Sequence, residues 1–360
     1  MTGLQFCDAK DDVPSEELPH LLLIHPPSSF TRFPPELCAK FPVLKAWESP
    51  LPLDQFLSTH AGSIQALLVR GYLMVNADIL EQLPALKLVL TISVGVNHID
   101  MAECRWRGIS VANVGNAYSE DVADIAVGLY IDVLRKLSAA DRIAQPANSA
   151  LYAMFILGNM IEFISKGTEF VSEGDCHEFV LGEIKMLGGK RVGIIGLGSI
   201  GSEVAKRLEA FGCIISYNSR REKPSLSYPF YPNVSELAAN SDALIICCAL
   251  TDQTHHMINK EVLALLGREG VIVNVGRGAI IDEKELVKCL VSGEIRGAGF
   301  DVFENEPQVP EELFALDNVV LSPHKAVSTL ESSQSMNEMM TANLETFFSN
   351  KPLVSPVMEE

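Results

Sequence analysis

Short apolar runs closed by glycine, proline or polar residues recur along the chain. LLLIHPP (21–27), ALLVR (66–70) and LVLTISVG (88–95) come first, separated by stretches of helical length such as 77–83 and 97–107. Runs of this length with such punctuation read as buried strands. Their alternation with helical segments predicts an α/β layer on a mostly parallel sheet. From Ala117 to Ala144 one long helical pattern follows. A second strand–helix series starts at Lys190, where RVGII, CIISY, ALIICCAL, VIVNV, GAGFDV and VVLSP predict six strands. SEVAKRLEAF and EKELVKCLVSG read as helices between them, and the tail, roughly 329–349, as one more helix. Nothing repeats at a solenoid period.

The stretch 146–181 breaks this pattern. Its apolar part, Leu151 to Ile164, is interrupted by Gly158, Asn159 and Glu162. It is too short for a membrane span, and as a helix it would be apolar on nearly every face.

Composition then narrows the class. At about 150 residues per domain, 360 residues predict two domains. With 48% apolar and 21% charged residues, a disordered chain is excluded. A net charge of −18 argues against binding to nucleic acid or anionic membranes. The first residues lack a basic start followed by an apolar block, and the last four, VMEE, match no peroxisomal or retention address, so a cytoplasmic location is expected. Eight cysteines (Cys7, Cys38, Cys104, Cys176, Cys213, Cys247, Cys248, Cys289) are scattered without a C-x-x-C, which fits reduced thiols. His255 and His256 are adjacent, and side chains of adjacent residues are expected to diverge, so no metal site is predicted.

Gly196-Leu-Gly198-Ser199-Ile200-Gly201 directly follows RVGII and opens the helix SEVAKRLEAF. In that context the motif is a dinucleotide fingerprint of the Rossmann type. Gly196 permits the tight turn, Gly198 lets the backbone approach a pyrophosphate, and Gly201 permits close helix–strand packing. The helix N-terminus supplies free N–H groups and a positive dipole end. The residues that read the adenosine ribose follow about 20 positions on. Here they are Tyr217-Asn218-Ser219-Arg220-Arg221, with no carboxylate before Glu222. A hydroxyl and two guanidiniums suit a 2′-phosphate, which favours NADPH over NADH.

Three further motifs lie at or just after predicted strand ends: Asn274-Val275-Gly276-Arg277 continuing to Asp282, Gly299-Phe-Asp301 continuing to Glu306-Pro307, and Leu321-Ser-Pro323-His324. Ligands of open α/β sheets bind at that edge. Reducing a 2-keto acid needs a cation to hold and polarise the substrate. It also needs an acid for the developing alkoxide, and a carboxylate that keeps the acid charged. Arg277, His324 and Glu306 are residues of those types, and a carboxylate beside a histidine raises its pKa.

On these motifs the chain resembles the D-isomer-specific 2-hydroxyacid dehydrogenase family, in particular its plant-type glyoxylate/hydroxypyruvate and hydroxyphenylpyruvate reductases. The resemblance implies a Rossmann-type doubly wound dinucleotide-binding domain over 118–326 plus a flavodoxin-like α/β substrate domain from 1–117 and 327–360. It implies that Arg277, Glu306 and His324 are catalytic and that Asp301 lies beside the nicotinamide. It adds Ser199, Ile200, Cys248, Val275 and Gly276 to the cofactor contacts. The backbone N–H groups of Val94 and Gly95, within Ser93–Asn97, would bind the substrate carboxylate together with Arg277. A small 2-keto acid substrate, a homodimer and a cleft that closes on binding are further implications. An aromatic 2-keto acid reductase and a dinucleotide-sensing interaction protein are the rival readings.

The chain departs from the family pattern in three places. Between Asp141-Arg142 and Leu181-Gly182 it is much longer than relatives and lacks their Gly-x-Trp, since the only tryptophans are Trp47 and Trp106. That excess is either an extended dimer arm or translated non-coding sequence, and the lack of helical periodicity favours the second. Lys325-Ala326 follow the catalytic histidine where relatives carry an uncharged and a small residue. Asp124 stands where most relatives have Glu, a conservative change expected to be structural.

Overall fold

Every pairing between strands among the described residues is parallel. The structure, a computed structural model, describes residues 20–26, 41–70, 73–144 and 185–357. The atypical stretch 146–181 lies outside the described residues. The chain divides into two compact units, residues 1–118 with 327–360 and residues 119–326.

The first unit contains β1 (His20–Leu23), β2 (Val43–Lys45), α1 (Leu53–His60), β3 (Ile64–Val69), α2 (Ala77–Glu81), β4 (Leu88–Thr91), α3 (Met101–Trp106) and β5 (Ser110–Ala112). The tail returns as α10 (Leu330–Phe348). Its sheet runs β2-β1-β3-β4-β5, a flavodoxin-like order. β1, β3 and β4 are almost wholly buried, as expected of strands covered on both faces. Leu22, Leu67 and Val89 from them meet Leu57 of α1, Leu80 of α2 and Cys104 of α3 in one core. β2 and β5 have only three residues each and were not anticipated by the hydrophobic pattern. After α10, Asn343 gathers the tail: its Oδ1 accepts from Val354 N (3.1 Å) and Ser355 N (3.2 Å). Ser355 Oγ then donates to Asn113 O (2.6 Å), and Val357 N to Val111 O (2.8 Å). The C-terminal segment is thus stitched to β5.

The second unit contains α4 (Ser119–Arg135), α5 (Leu137–Ala144), β6 (Arg191–Ile195), α6 (Ser199–Ala210), β7 (Ile214–Asn218), α7 (Val234–Ala239) and β8 (Ala243–Ile246). It continues with α8 (Lys260–Leu266), β9 (Val271–Asn274), α9 (Glu283–Val291), β10 (Gly297–Phe300) and β11 (Val319–Leu321). All six expected strands form, in the order β11-β10-β9-β8-β6-β7. The direction of winding therefore reverses between β6 and β8, the switch point at which such sheets bind ligands. Leu237 of α7, Val262 and Leu263 of α8, and Leu286 and Leu290 of α9 pack with Leu244, Ile246, Ile272 and Ala298 of the sheet. The long helical pattern of 117–144 is not one helix. It breaks at Lys136, a non-glycine residue with φ +51°, and Asp132 Oδ1 caps the next helix by accepting from Ser138 N (2.9 Å). Asp124 on α4 pairs with Arg207 on α6 at 2.5 Å, a structural role.

Side chains cap most helix starts: Asn76, Asp100, Asn233, Asn259, Asp282 and Thr329 each accept a backbone N–H of the first turn. α6 starts instead at Gly198, with no side-chain cap. No helix among the described residues is long and apolar enough to cross a membrane.

Candidate active site

Loops leave the carboxyl ends of β9, β10 and β11 side by side, and each carries one of the expected catalytic residues. After β9, buried Asn274 shapes the turn: its Nδ2 donates to Arg277 O (3.0 Å) and its Oδ1 accepts from Gly276 N (3.0 Å). Arg277 Nη1 donates to Gly276 O at 2.7 Å. Burial lowers the guanidinium pKa, and the Glu306 carboxylate opposes that shift. The site thus holds a partly desolvated cation facing a carboxylate, which is worth more to an anionic substrate than a surface cation.

After β10 the chain turns at 303–306. Glu306 Oε1 accepts from Phe303 N at 3.0 Å, and Oε2 lies 2.8 Å from His324 Nδ1. Burial pushes the Glu306 carboxyl up, but the hydrogen bonds from His324 and Phe303 N and the charges of His324 and Arg277 outweigh it, holding it below the usual range. An ionised carboxylate at Nδ1 assigns the proton to that nitrogen. Nε2 makes no hydrogen bond among the described residues, and the His324 side chain is 46% exposed. The imidazole is fixed at one end and open at the other, the arrangement of a general acid.

His324 sits at φ +50°, a left-handed conformation that non-glycine residues rarely adopt. Asp301, almost fully buried, accounts for its retention. Asp301 Oδ1 accepts from Ser322 Oγ (2.5 Å) and Lys325 N (3.0 Å), and Oδ2 from Ala326 N (3.2 Å). The aspartate brackets the histidine turn from both sides.

The glycine loop after β6 matches its expected geometry. Gly196 has φ +91°, and a Cβ there would fall 2.6 Å from Cys248 Cα. A Cβ on Gly201 would lie 2.2 Å from Gly196 O, whereas one on Gly198 would meet nothing within 4 Å. The loop is thus closed where it packs on protein and open where a pyrophosphate approaches. The first-turn N–H groups of Ser199, Ile200 and Gly201 face that opening without an intrahelical partner. Cys248 closes the floor: a Cβ on Gly276 would come within 2.8 Å of its carbonyl oxygen. Burial pushes the Cys248 thiol up to about 11, so it is a neutral wall and not a nucleophile. At the end of β7, Asn218 O accepts from Gly196 N (2.9 Å), and Asn218 Nδ2 donates to Tyr231 O (2.8 Å). Ser219 Oγ donates to Arg221 O (2.6 Å), and Arg220 and Arg221 are exposed. Residues 196–201 fit a dinucleotide.

Comparison with known proteins agrees with this geometry. Residues 154–326 match the model of the D-isomer specific 2-hydroxyacid dehydrogenase, NAD binding domain. A glyoxylate/hydroxypyruvate reductase of Arabidopsis thaliana is 50% identical over 340 residues, covering 94% of this chain and 97% of that protein. The chain belongs to the D-isomer specific 2-hydroxyacid dehydrogenase family. A hydroxyphenylpyruvate reductase of Plectranthus scutellarioides is 41% identical over 326 residues, covering 90% of this chain and 94% of that protein. Among solved 2-hydroxyacid dehydrogenases, an NADPH-dependent glyoxylate/hydroxypyruvate reductase from Sinorhizobium meliloti, in complex with NADP and malonate, matches with a TM-score of 0.75. It is 30% identical, and the match covers 94% of this chain and 96% of that one.

For this 2-hydroxyacid dehydrogenase, the sequence-predicted residues divide between the units. Arg277, Glu306, His324 and Asp301 gather with Val275 and Gly276 at one sheet edge of the second unit. Val94 and Gly95 belong to the first unit, in the loop after β4. There Asn113 Nδ2 donates to Val94 O (2.8 Å), and Thr91 Oγ1 accepts from Ser93 N (3.2 Å) while 3.1 Å from buried His98 Nε2. Three residues of the second unit, Lys223, Glu283 and Glu304, escaped the sequence reading. Lys223 donates its ammonium to Leu197 O inside the glycine loop, and its N–H to Tyr217 Oη (2.8 Å). The basic run Arg220-Arg221-Glu222-Lys223 was the available signal. Glu283 and Glu304, which bond to each other and, through Glu304, to His256, carried no such signal. The expectation that His255 and His256 diverge is corrected: their rings stack with centroids 4.0 Å apart, and their ligating atoms lie with one of Glu304 within 4.8 Å of one another. Both lie in a turn, and His256 has a left-handed backbone, φ +49°, outside the strand or helix geometry on which that expectation rested.

Proposed function

We propose that the chain is an NADPH-preferring reductase of short 2-keto acids, glyoxylate and hydroxypyruvate. One observation carries the reading: a carboxylate-held histidine and a half-buried arginine lie at the same sheet edge as a glycine cradle for a dinucleotide. In this reading residues 118–326 bind the cofactor, and residues 1–117 with 327–360 form the substrate domain. Arg277 and the N–H groups of Val94 and Gly95 hold the substrate carboxylate, and Arg277 polarises the carbonyl. NADPH, when bound, supplies the hydride to C2. His324 Nε2 protonates the oxygen as its charge develops, and Glu306 stabilises the imidazolium before transfer. Asp301 and the Cys248 floor shape the nicotinamide side.

Arg220, Arg221 and Lys223 at the end of β7 support the NADPH preference, since a 2′-phosphate gains charge-assisted hydrogen bonds there and a carboxylate to select NADH is missing. The five described cysteines are free thiols, which supports a reducing, cytoplasmic setting. The family resemblance supports a homodimer. The 41% identity to a hydroxyphenylpyruvate reductase favours an aromatic 2-keto acid as the second reading. Following NADPH oxidation with glyoxylate, hydroxypyruvate and hydroxyphenylpyruvate in parallel separates the two. The highest kcat/KM is expected for one of the short acids. Highest efficiency for hydroxyphenylpyruvate replaces the first reading by the second, and turnover of none of them rejects both.

A further inference from the structure

Two turns must keep register for the site to work: residues 275–282, carrying Arg277, and residues 303–306, carrying Glu306. At one point they touch backbone to backbone. A Cβ on Gly278 would fall 1.8 Å from Phe303 C and 2.2 Å from Glu304 N. One residue from outside both turns bridges them. His256 N donates to Ala279 O (2.9 Å), and its Nε2 lies 2.8 Å from Glu304 Oε1. The backbone attachment continues through Ile258, whose N donates to Ile280 O (3.0 Å) and whose O accepts from Asp282 N (2.9 Å). On the far side Glu304 N donates to Glu283 Oε2 (3.1 Å), at the start of α9. Glu304 is therefore clamped by its side chain to His256 and by its backbone to Glu283. Two residues on, Glu306 reaches back to Phe303 N and forward to His324.

Backbone strain marks the same residue. Only four described non-glycine residues have positive φ, and two of them are His256 and His324. A histidine in this region is strained and persists where surrounding contacts over-determine it. At His256 those contacts are a backbone bond to one catalytic turn and a side-chain bond to the other.

We propose that His256 is a positioning residue, a strut that sets Glu306 against His324 by holding Glu304 to the Arg277 turn. Its importance for turnover rests on the proposed reductase reading. The geometry it maintains does not.

The test compares four variants. His256→Asn tolerates the left-handed backbone but is too short to reach Glu304. His256→Gln restores an N–H donor at nearly the same reach. Glu304→Ala removes the acceptor without touching the strained residue. His256→Asn/Glu304→Ala closes the double-mutant cycle. With 13C-labelled glutamate, and the Glu306 signal assigned by its loss in Glu306→Gln, the acid titration of that carboxylate is followed in the free protein. Arg277, Glu283 and His324, the charged groups coupled to Glu306, are unchanged in the four variants, but Glu304→Ala also removes a negative charge two residues from Glu306, which by itself lowers the midpoint. The midpoint is expected to rise in His256→Asn, to stay near wild type in His256→Gln, and to rise less in Glu304→Ala, where the lost negative charge opposes the shift. The double variant should match Glu304→Ala, in which the contact is already gone. In turnover, kcat should fall roughly tenfold to a hundredfold in the two disrupting variants, as for about 1 Å of misplacement. NADPH affinity should hold within about twofold, since a 1.4 kcal/mol change is needed for a factor of ten. An unchanged Glu306 midpoint in His256→Asn overturns the strut, whatever happens to thermal stability. Activity lost to a chelator and restored by zinc also overturns it, in favour of a metal held by His255, His256 and Glu304. A wild-type protein that turns over no 2-keto acid defeats the reductase reading, while the titration still decides the strut.

Discussion

His324 and Arg277 carry different halves of the chemistry, and their substitutions should fail differently. His324→Ala removes the proton donor and should lower kcat by about 10²–10⁴, with NADPH binding intact by fluorescence titration. Arg277→Lys keeps the charge but loses the planar fork, so the KM for the keto acid should rise more than kcat falls. Glu306 adds a pH signature. Its carboxyl is held below the usual range, so its contribution to stability is present above that range and lost as pH falls through the folded value. Glu306→Gln should therefore be less stable than wild type at neutral pH, and the gap should narrow on acidification in thermal unfolding. All three residue types were legible in the sequence because each follows a strand in an unbroken motif. What those motifs did not reveal is Asp301 as the bracket of the histidine turn, since its three donors come from positions 322–326 and meet it only through the β10–β11 pairing.

Strands and helices of the second unit were read closely from pattern, because a strand buried on both faces is a continuous apolar run. Elements that escaped are those where burial or periodicity is weak. β2 has three residues, all half-buried. The break between α4 and α5 carries no glycine or proline and depends on Asp132 reaching Ser138. Element packing gives its own predictions. Gly278→Ala would press a methyl into the Phe303–Glu304 peptide, and should cost on the order of 3 kcal/mol of stability, read by denaturant unfolding, with activity falling alongside. At the end of β7, replacing Arg220 and Arg221 by Ala should cut the NADPH-over-NADH preference by tenfold or more, as expected for losing at least one charge-assisted bond worth about 1.5–3 kcal/mol.

At the scale of the molecule, a chain of net charge −18 is proposed to bind anions. Arg220, Arg221 and Lys223 act over distances shorter than a Debye length of about 8–10 Å, whereas the distributed negative charge acts from farther away and is screened first. NADPH binding should first hold steady or strengthen as salt is added from very low levels, then weaken once the local cations are screened. The double arginine variant should lose that later weakening. The division of the chain has a consequence for biosynthesis. The unit 119–326 lies wholly between the two pieces of the other, so it can complete its sheet while still tethered to the ribosome. The first unit cannot. Its β5 edge awaits Ser355 and Val357, which emerge after the inserted unit has been made. Until residues 355–357 emerge, the nascent protein has a finished unit 119–326 joined to an unfinished first unit. A nascent chain stalled before residue 355 would carry the glycine loop with β5 still unpaired along that side.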